Sequence, residues 1–214
     1  MNLSNQIKKL QKTNLKNTID KRLKQFFSFK NKTSEEWFSE LCFCILTANS
    51  KAHTAIKIQE ELGAEGFCKK GKDGIKRCII THKHRFHNNK TEYILGAREH
   101  IDIKQKIQRI ISYNKEEGES SAREWLVKNI KGIGYKEASH FLRNVGYFNL
   151  AILDRHVLNL MIEEKMIKEK PKTLTKKKYL EIEVILEKFS KKLKMSQAEL
   201  DLYMWYLKTG EVLK

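Results

Sequence analysis

Proline occurs once and glycine ten times in the 214 residues of this chain. With Lys, Leu, Ile and Glu abundant, a sequence so short of helix breakers favours helix almost everywhere. No stretch alternates apolar and polar residues as a half-buried strand would, and no segment repeats at a fixed period. Long apolar runs are missing as well: none approaches the ~18–20 residues that a membrane span requires, and a soluble protein is expected. The first residues, "MNLSNQIKKLQKTNLKN", lack the continuous apolar core and the small-residue cleavage site of a secretory signal, and read as part of a mature helix. The four cysteines, Cys42, Cys44, Cys68 and Cys78, include no pair with the two-residue gap common in zinc and iron–sulfur sites. Cys42 and Cys44 lie inside "LCFCIL", where cysteine behaves as a small hydrophobe, and reduced thiols in a cytoplasm are expected. His82, His84 and His87 of "THKHRFHNN" suit a basic loop at least as well as a metal site. No metal, iron–sulfur cluster or other cofactor is expected.

Negative charge is the largest deficit. Against 43 Lys plus Arg stand 26 Asp plus Glu, and the resulting +17 attracts a polyanion from a distance. Nucleic acid is the leading partner class. An anionic membrane surface reads the same charge, but nothing in the chain would insert into it.

Helical periodicity is clear in several places. "TSEEWFSELCFCIL" begins with Thr33 and Glu36 in a capping-box spacing, then sets Trp37, Leu41, Cys44 and Ile45 at helical intervals, as in a buried helix. "KKKYLEIEVILEKFSKKLK" places Tyr179, Ile182, Leu186, Phe189 and Leu193 on one stripe. Further helical patterns lie near residues 52–62, 89–100, 101–113 and 119–131, separated by breaks such as "GAEG" and "NKEEGES". The charge run "FCKKGKDGIKR", residues 67–77, reads as a loop.

The segment "NIKGIGYKEASHF" concentrates two glycines among lysines. "SAREWLVKNI" reads as a helix, "KGIG" breaks it, and "YKEASHFLRNVG" reads as a second helix ending at Gly146. Lys131, Gly132, Ile133 and Gly134 then form a tight hairpin whose backbone a phosphate can approach, with free N–H groups at the start of the next helix. Such a hairpin holds a DNA backbone without reading bases; an ordinary helix–turn–helix connection has the same appearance. If the second helix begins at Tyr135, then Ala138, Phe141, Leu142 and Val145 share one face, and Lys136, His140 and Arg143 fall roughly opposite. Lys136 so placed fits a solvated lysine, a phosphate ligand, or an amine held in a cleft. In "NLAILDRHVLNLM", Asp154 ends an apolar run and reads as the N-cap of another helix, where a carboxylate is held ionised and fixed in direction.

"KGIGYKEA" followed eighteen residues after Lys136 by the aspartate of "AILDRHV" resembles the helix-hairpin-helix DNA glycosylases, which carry a Gly/Pro-rich loop and an Asp. "ELCFCILTAN", "HRF", "EASHFLRNVG" and the C-terminal "DLYMWYLKTGEVLK" are similar to the archaeal-type 8-oxoguanine DNA glycosylase/AP lyases, and the resemblance spans nearly the whole chain. It implies an all-α fold of two helical subdomains flanking a DNA-binding cleft: a barrel from 33 to 149 that includes the hairpin at about 119–146, and a second subdomain made from 1–32 and 150–214. It implies Lys136 as the nucleophile that forms a Schiff base with the sugar, and Asp154 as the carboxylate that stabilises the cationic sugar, with His140 or Arg143 helping to lower the lysine's pKa. It also implies that Asn49 enters the space left by the flipped base, that Phe86 and Trp205 sandwich the lesion, and that Lys214 approaches it. By helical spacing Leu200, Met204 and Leu207 form the apolar stripe of the last helix, with Trp205 and Asp201 off it; a core or surface tryptophan fits the same spacing.

The function expected is excision of 8-oxoguanine from double-stranded DNA with β-elimination at the abasic site, by a cytoplasmic monomer. A glycosylase for another lesion, and a non-catalytic DNA-backbone-binding protein, are the alternatives.

Overall fold

In a computed structural model of the chain, which describes residues 2–113 and 116–214, every regular element is helical. Asn114 and Lys115, in the polar break expected after residue 113, lie outside the described residues, as does Met1. The chain divides into two compact units, Phe29–Phe141 and the combination of Met1–Ser28 with Leu142–Lys214.

The first unit is built around α3 (Ser34–Thr47). Thr33 and Glu36 close the predicted capping box: the Thr33 hydroxyl accepts the Glu36 N–H at 3.2 Å, and the Glu36 carboxylate accepts the Thr33 N–H at 2.8 Å. Beyond that cap every residue from Trp37 to Thr47 is buried, as expected of a helix whose apolar residues run all the way round. It packs against α4 (Ala52–Lys69), α6 (His87–Ala97) and α7 (Ile103–Tyr113). The charge run expected as a loop is instead the end of α4 and most of α5 (Lys72–Thr81), broken only at Lys70 and Gly71. Ile75, Cys78 and Ile79 form a buried stripe there, and apolar periodicity outweighs the lysines, which stay solvated. The unit closes with α8 (Gly118–Asn129) and the start of α9 (Tyr135–Asn144), inside which the chain passes to the other unit.

The second unit contains α1 (Leu3–Leu10), α2 (Leu15–Ser28), α10 (Arg155–Glu163), α11 (Lys176–Leu193) and α12 (Gln197–Thr209). The N-terminal segment is therefore two helices rather than one. The α11 stripe buries Tyr179, Ile182 and Leu186, while Phe189 and Leu193 remain half-exposed near its end. Arg143 and Asp201 form a buried ion pair, with the Arg143 guanidinium also 4.9 Å from the Phe26 ring centroid. Asp201, read as lying off the apolar face of α12, is thus inside and paired, which is how a carboxylate survives burial.

Candidate active site and nucleic-acid interface

The break between α8 and α9 is a hairpin set by more than its glycines. Ile130 ends α8 by donating its N–H to Leu126 O at 2.9 Å, and Ile133 buries its side chain between the two glycines. Gly132 has φ +88°, and a Cβ there would come within 2.3 Å of the Tyr93 ring, so this position requires glycine twice over. Gly134 donates its N–H to Glu137 Oε2 at 3.3 Å. The two helices are tied by Arg123, fully buried, which donates to the Ser139 hydroxyl at 3.3 Å and lies 5.2 Å from the Tyr135 ring centroid, and by the Tyr135 phenol donating to Glu124 at 2.5 Å. Lys131 is exposed on the outside of the turn.

Lys136 is the second residue of α9. Its ammonium lies 2.9 Å from Glu137 Oε1, in a pair whose side chains are only 24% and 12% exposed. Ala138, Phe141, Leu142 and Val145 are buried as the wheel required. His140 and Arg143 are also buried, against expectation, because α9 is enclosed on more than its apolar stripe. The His140 ring stands edge-on to Phe43, and the Arg143 guanidinium is taken up by Asp201 and Asn144. The cation coupled electrostatically to Lys136 is instead Lys90, which the sequence reading missed. Lys90 is 4% exposed and donates to the Ile45 carbonyl at 2.7 Å; burial pushes its pKa down to about 8, Glu137 opposes that fall and Lys136 adds to it. Its only sequence signal is a lysine on the N-terminal turn of α6.

Lys90 belongs to a group of side chains that satisfies carbonyls at the end of α3 and just beyond it. His84 Nε2 bonds to Leu46 O at 2.9 Å, and Arg85 donates to Asn49 O at 3.1 Å. The Phe86 N–H donates to His84 Nδ1, which assigns the ring proton to Nε2, and burial holds the pKa of this imidazole below its usual value. His84 thus lies in the loop between α5 and α6, as expected, but as a buried, neutral linker. Asn49 follows α3 exposed and left-handed (φ +59°), a conformation that asparagine tolerates better than most residues. Phe86 is 37% exposed, with the Arg85 guanidinium 4.6 Å from its ring centroid.

In the other unit Asp154 is the N-cap of α10. Its Oδ1 accepts both the His156 and the Val157 N–H at 2.8 Å. The irregular residues before it are fixed from α11: Glu183 accepts the Ala151 N–H at 2.8 Å, and the buried Tyr179 phenol donates to Ala151 O at 2.7 Å. Trp205, half-buried on α12, stands edge-on to His156 at 5.0 Å, and its indole N–H has no hydrogen-bond partner among the described residues. Lys214 ends a short tail that leaves α12 through Gly210 (φ +75°).

Among the described residues one group offers three metal-ligating donors, Glu61, Cys78 and His82. Glu61 accepts from His82 at 2.8 Å and from the Cys78 thiol, so these groups satisfy one another, and burial together with Glu61 pushes the Cys78 pKa up to about 12. No helix is long and apolar enough to cross a membrane among the described residues.

A family model described as 8-oxoguanine DNA glycosylase matches residues 19–195. The chain is 50% identical to the 8-oxoguanine DNA glycosylase/AP lyase of Methanocaldococcus jannaschii over all of both chains. It is similar to the crystal structure of the Methanocaldococcus jannaschii enzyme in complex with a 15mer DNA containing 8-oxoguanine, with a TM-score of 0.94, 50% identity and 99% of each chain covered. It is also similar to the crystal structure of the 8-oxoguanine DNA glycosylase of Thermotoga maritima, with a TM-score of 0.89 and 38% identity over 99% of this chain and 98% of that one.

Proposed function

The chain belongs to the 8-oxoguanine DNA glycosylase family, and from that premise we propose that it removes 8-oxoguanine from double-stranded DNA and cleaves the resulting abasic site by β-elimination through a Schiff base on Lys136. The observation that carries this reading is the hairpin, whose geometry puts a partly enclosed lysine amine on the first turn of the helix that a phosphate would contact.

A purine inside a duplex is out of reach, so the nucleotide is first turned out of the stack. The hairpin backbone and the exposed Lys131 hold phosphates without reading sequence, and Gly132 and Gly134 present no side chain to that contact. Asn49, exposed just after α3, fills the gap in the stack, while Phe86 and Trp205 offer aromatic faces to the extruded base. Lys214 supplies a further contact to the base. The neutral Lys136 amine attacks C1′ as the bond from C1′ to the base breaks, and the base leaves with that electron pair. The nitrogen gives up a proton to the departing base, the C1′–O4′ bond opens to an iminium as O4′ takes its electron pair and a proton, a proton is lost from C2′, and the C3′–O bond breaks so that the 3′ phosphate departs with its electron pair. Asp154 stabilises the positive sugar: two N–H groups on Oδ1 fix its direction, and Oδ2 makes no hydrogen bond among the described residues. The enzyme acts as a monomer in the cytoplasm and uses no cofactor.

Borohydride trapping on an 8-oxoguanine duplex tests this. A covalent adduct in the parent that vanishes in Lys136→Gln is the expected result. Trapping with other lesions but not with 8-oxoguanine moves the specificity elsewhere, and salt-sensitive binding with no adduct or cleavage reduces the protein to a backbone binder.

A further inference from the structure

We infer that Glu137 is a positioning residue for Lys136: its carboxylate ties the Lys136 amine to the hairpin backbone. The inference rests on the reading of Lys136 as the nucleophile.

Glu137 stands three residues after Gly134, at the position that completes a capping box when a serine or threonine begins the helix. Glycine cannot supply the other half. The carboxylate therefore divides its oxygens, Oε2 taking the Gly134 N–H at 3.3 Å and Oε1 the Lys136 ammonium at 2.9 Å. Neighbouring residues on a helix do not face each other, and the surface pairs that helices use for solubility lie three or four apart. A contact between 136 and 137 means that the lysine folds back toward the hairpin rather than out to solvent. Both side chains are mostly covered, and the attraction is less screened than in an exposed pair.

The surrounding charges make Glu137 decisive. From α6, Lys90 is coupled to both Glu137 and Lys136 and is pinned to Ile45 O. From α8, Glu124 is engaged by the Tyr135 phenol and Arg123 by the Ser139 hydroxyl. One turn along α9, the buried His140 ring stands against Phe43 of α3. Glu137 is thus the carboxylate in contact with the Lys136 amine, and it opposes the repulsion between two lysines. Glu137 holds the amine in place beside the hairpin.

The test is cyanoborohydride trapping on an abasic duplex at saturating enzyme, with duplex affinity measured alongside and folding checked by melting temperature. Glu137→Gln keeps an oxygen for the Gly134 N–H but removes the charge. Its trapping rate is expected to fall about tenfold, because the amine is no longer held, while duplex affinity does not fall. Glu137→Asp, which keeps the charge but withdraws it by one methylene, loses less of the rate, and serves alone if the glutamine variant does not fold. A trapping rate equal to the parent's in a folded variant, or one that falls only as affinity falls, while Lys136→Gln forms no adduct, overturns the inference and leaves the nucleophile standing. An adduct that persists in Lys136→Gln removes both.

Discussion

Two helices, α9 and α10, begin with a carboxylate within reach of their first turn, and they use it in opposite ways. At α10 the acid is the cap itself: Asp154 Oδ1 takes two backbone N–H groups. At α9 the cap is Gly134, and the acid sits at Glu137, where it binds the Gly134 N–H and the side chain of Lys136. The first arrangement fills the helix start and leaves Oδ2 without a hydrogen bond among the described residues; the second leaves the helix start without a capping side chain and directs the charge at an amine. One start is suited to stabilise a cation, the other to receive a phosphate.

Exchanging the features of the two starts should separate these roles. Asp154→Asn has the largest expected effect on activity: asparagine caps as well as aspartate, so melting and duplex binding stay near the parent while single-turnover excision falls by about two orders of magnitude or more. Near-normal turnover would remove Asp154 from the chemistry. Gly132→Ala should lower stability by about 2 kcal/mol or more in denaturant unfolding, since it forces a positive φ on an L-residue and drives a methyl into Tyr93. Giving α9 the cap of α10, as Gly134→Asp, should weaken duplex binding about fivefold to tenfold at low salt, with the loss shrinking as salt rises. Equal loss at every salt concentration would mean that the helix start does not meet phosphate.

The smallest effect concerns the second lysine. The Lys90 pKa in the fold, about 8, lies below the ordinary lysine value, because burial penalises the ammonium. The unfolded chain therefore holds more protons between the two values, and stability should rise as pH increases from about 8 toward 10.5, and be lost on the way down. Lys90→Met should flatten that rise in urea unfolding followed against pH.

Much of this was legible from residue order. Thr33 with Glu36, Asp154 before an apolar stripe, and two glycines in four residues are local signals, and local geometry decides them. The wheel failed at His140 and Arg143 because it assumes one buried face, and α9 is enclosed on more than one. The charge run at 67–77 misled because Lys and Asp in α5 are solvated by a helix whose stripe is only Ile75, Cys78 and Ile79. Lys90, Tyr93 and Arg123 were invisible for a different reason: each is a polar or aromatic side chain whose partner, at Ile45, Gly132 or Ser139, is distant in sequence. The helix starts that carry Lys136 and Asp154 were legible by position, but the contact between Lys136 and Glu137 was not.

The most direct test is to locate the covalent bond. The borohydride-reduced adduct on an 8-oxoguanine duplex, digested and mapped by peptide mass spectrometry, should carry the sugar remnant on Lys136. A remnant on Lys90, on the N-terminal amine or spread over surface lysines would contradict the account.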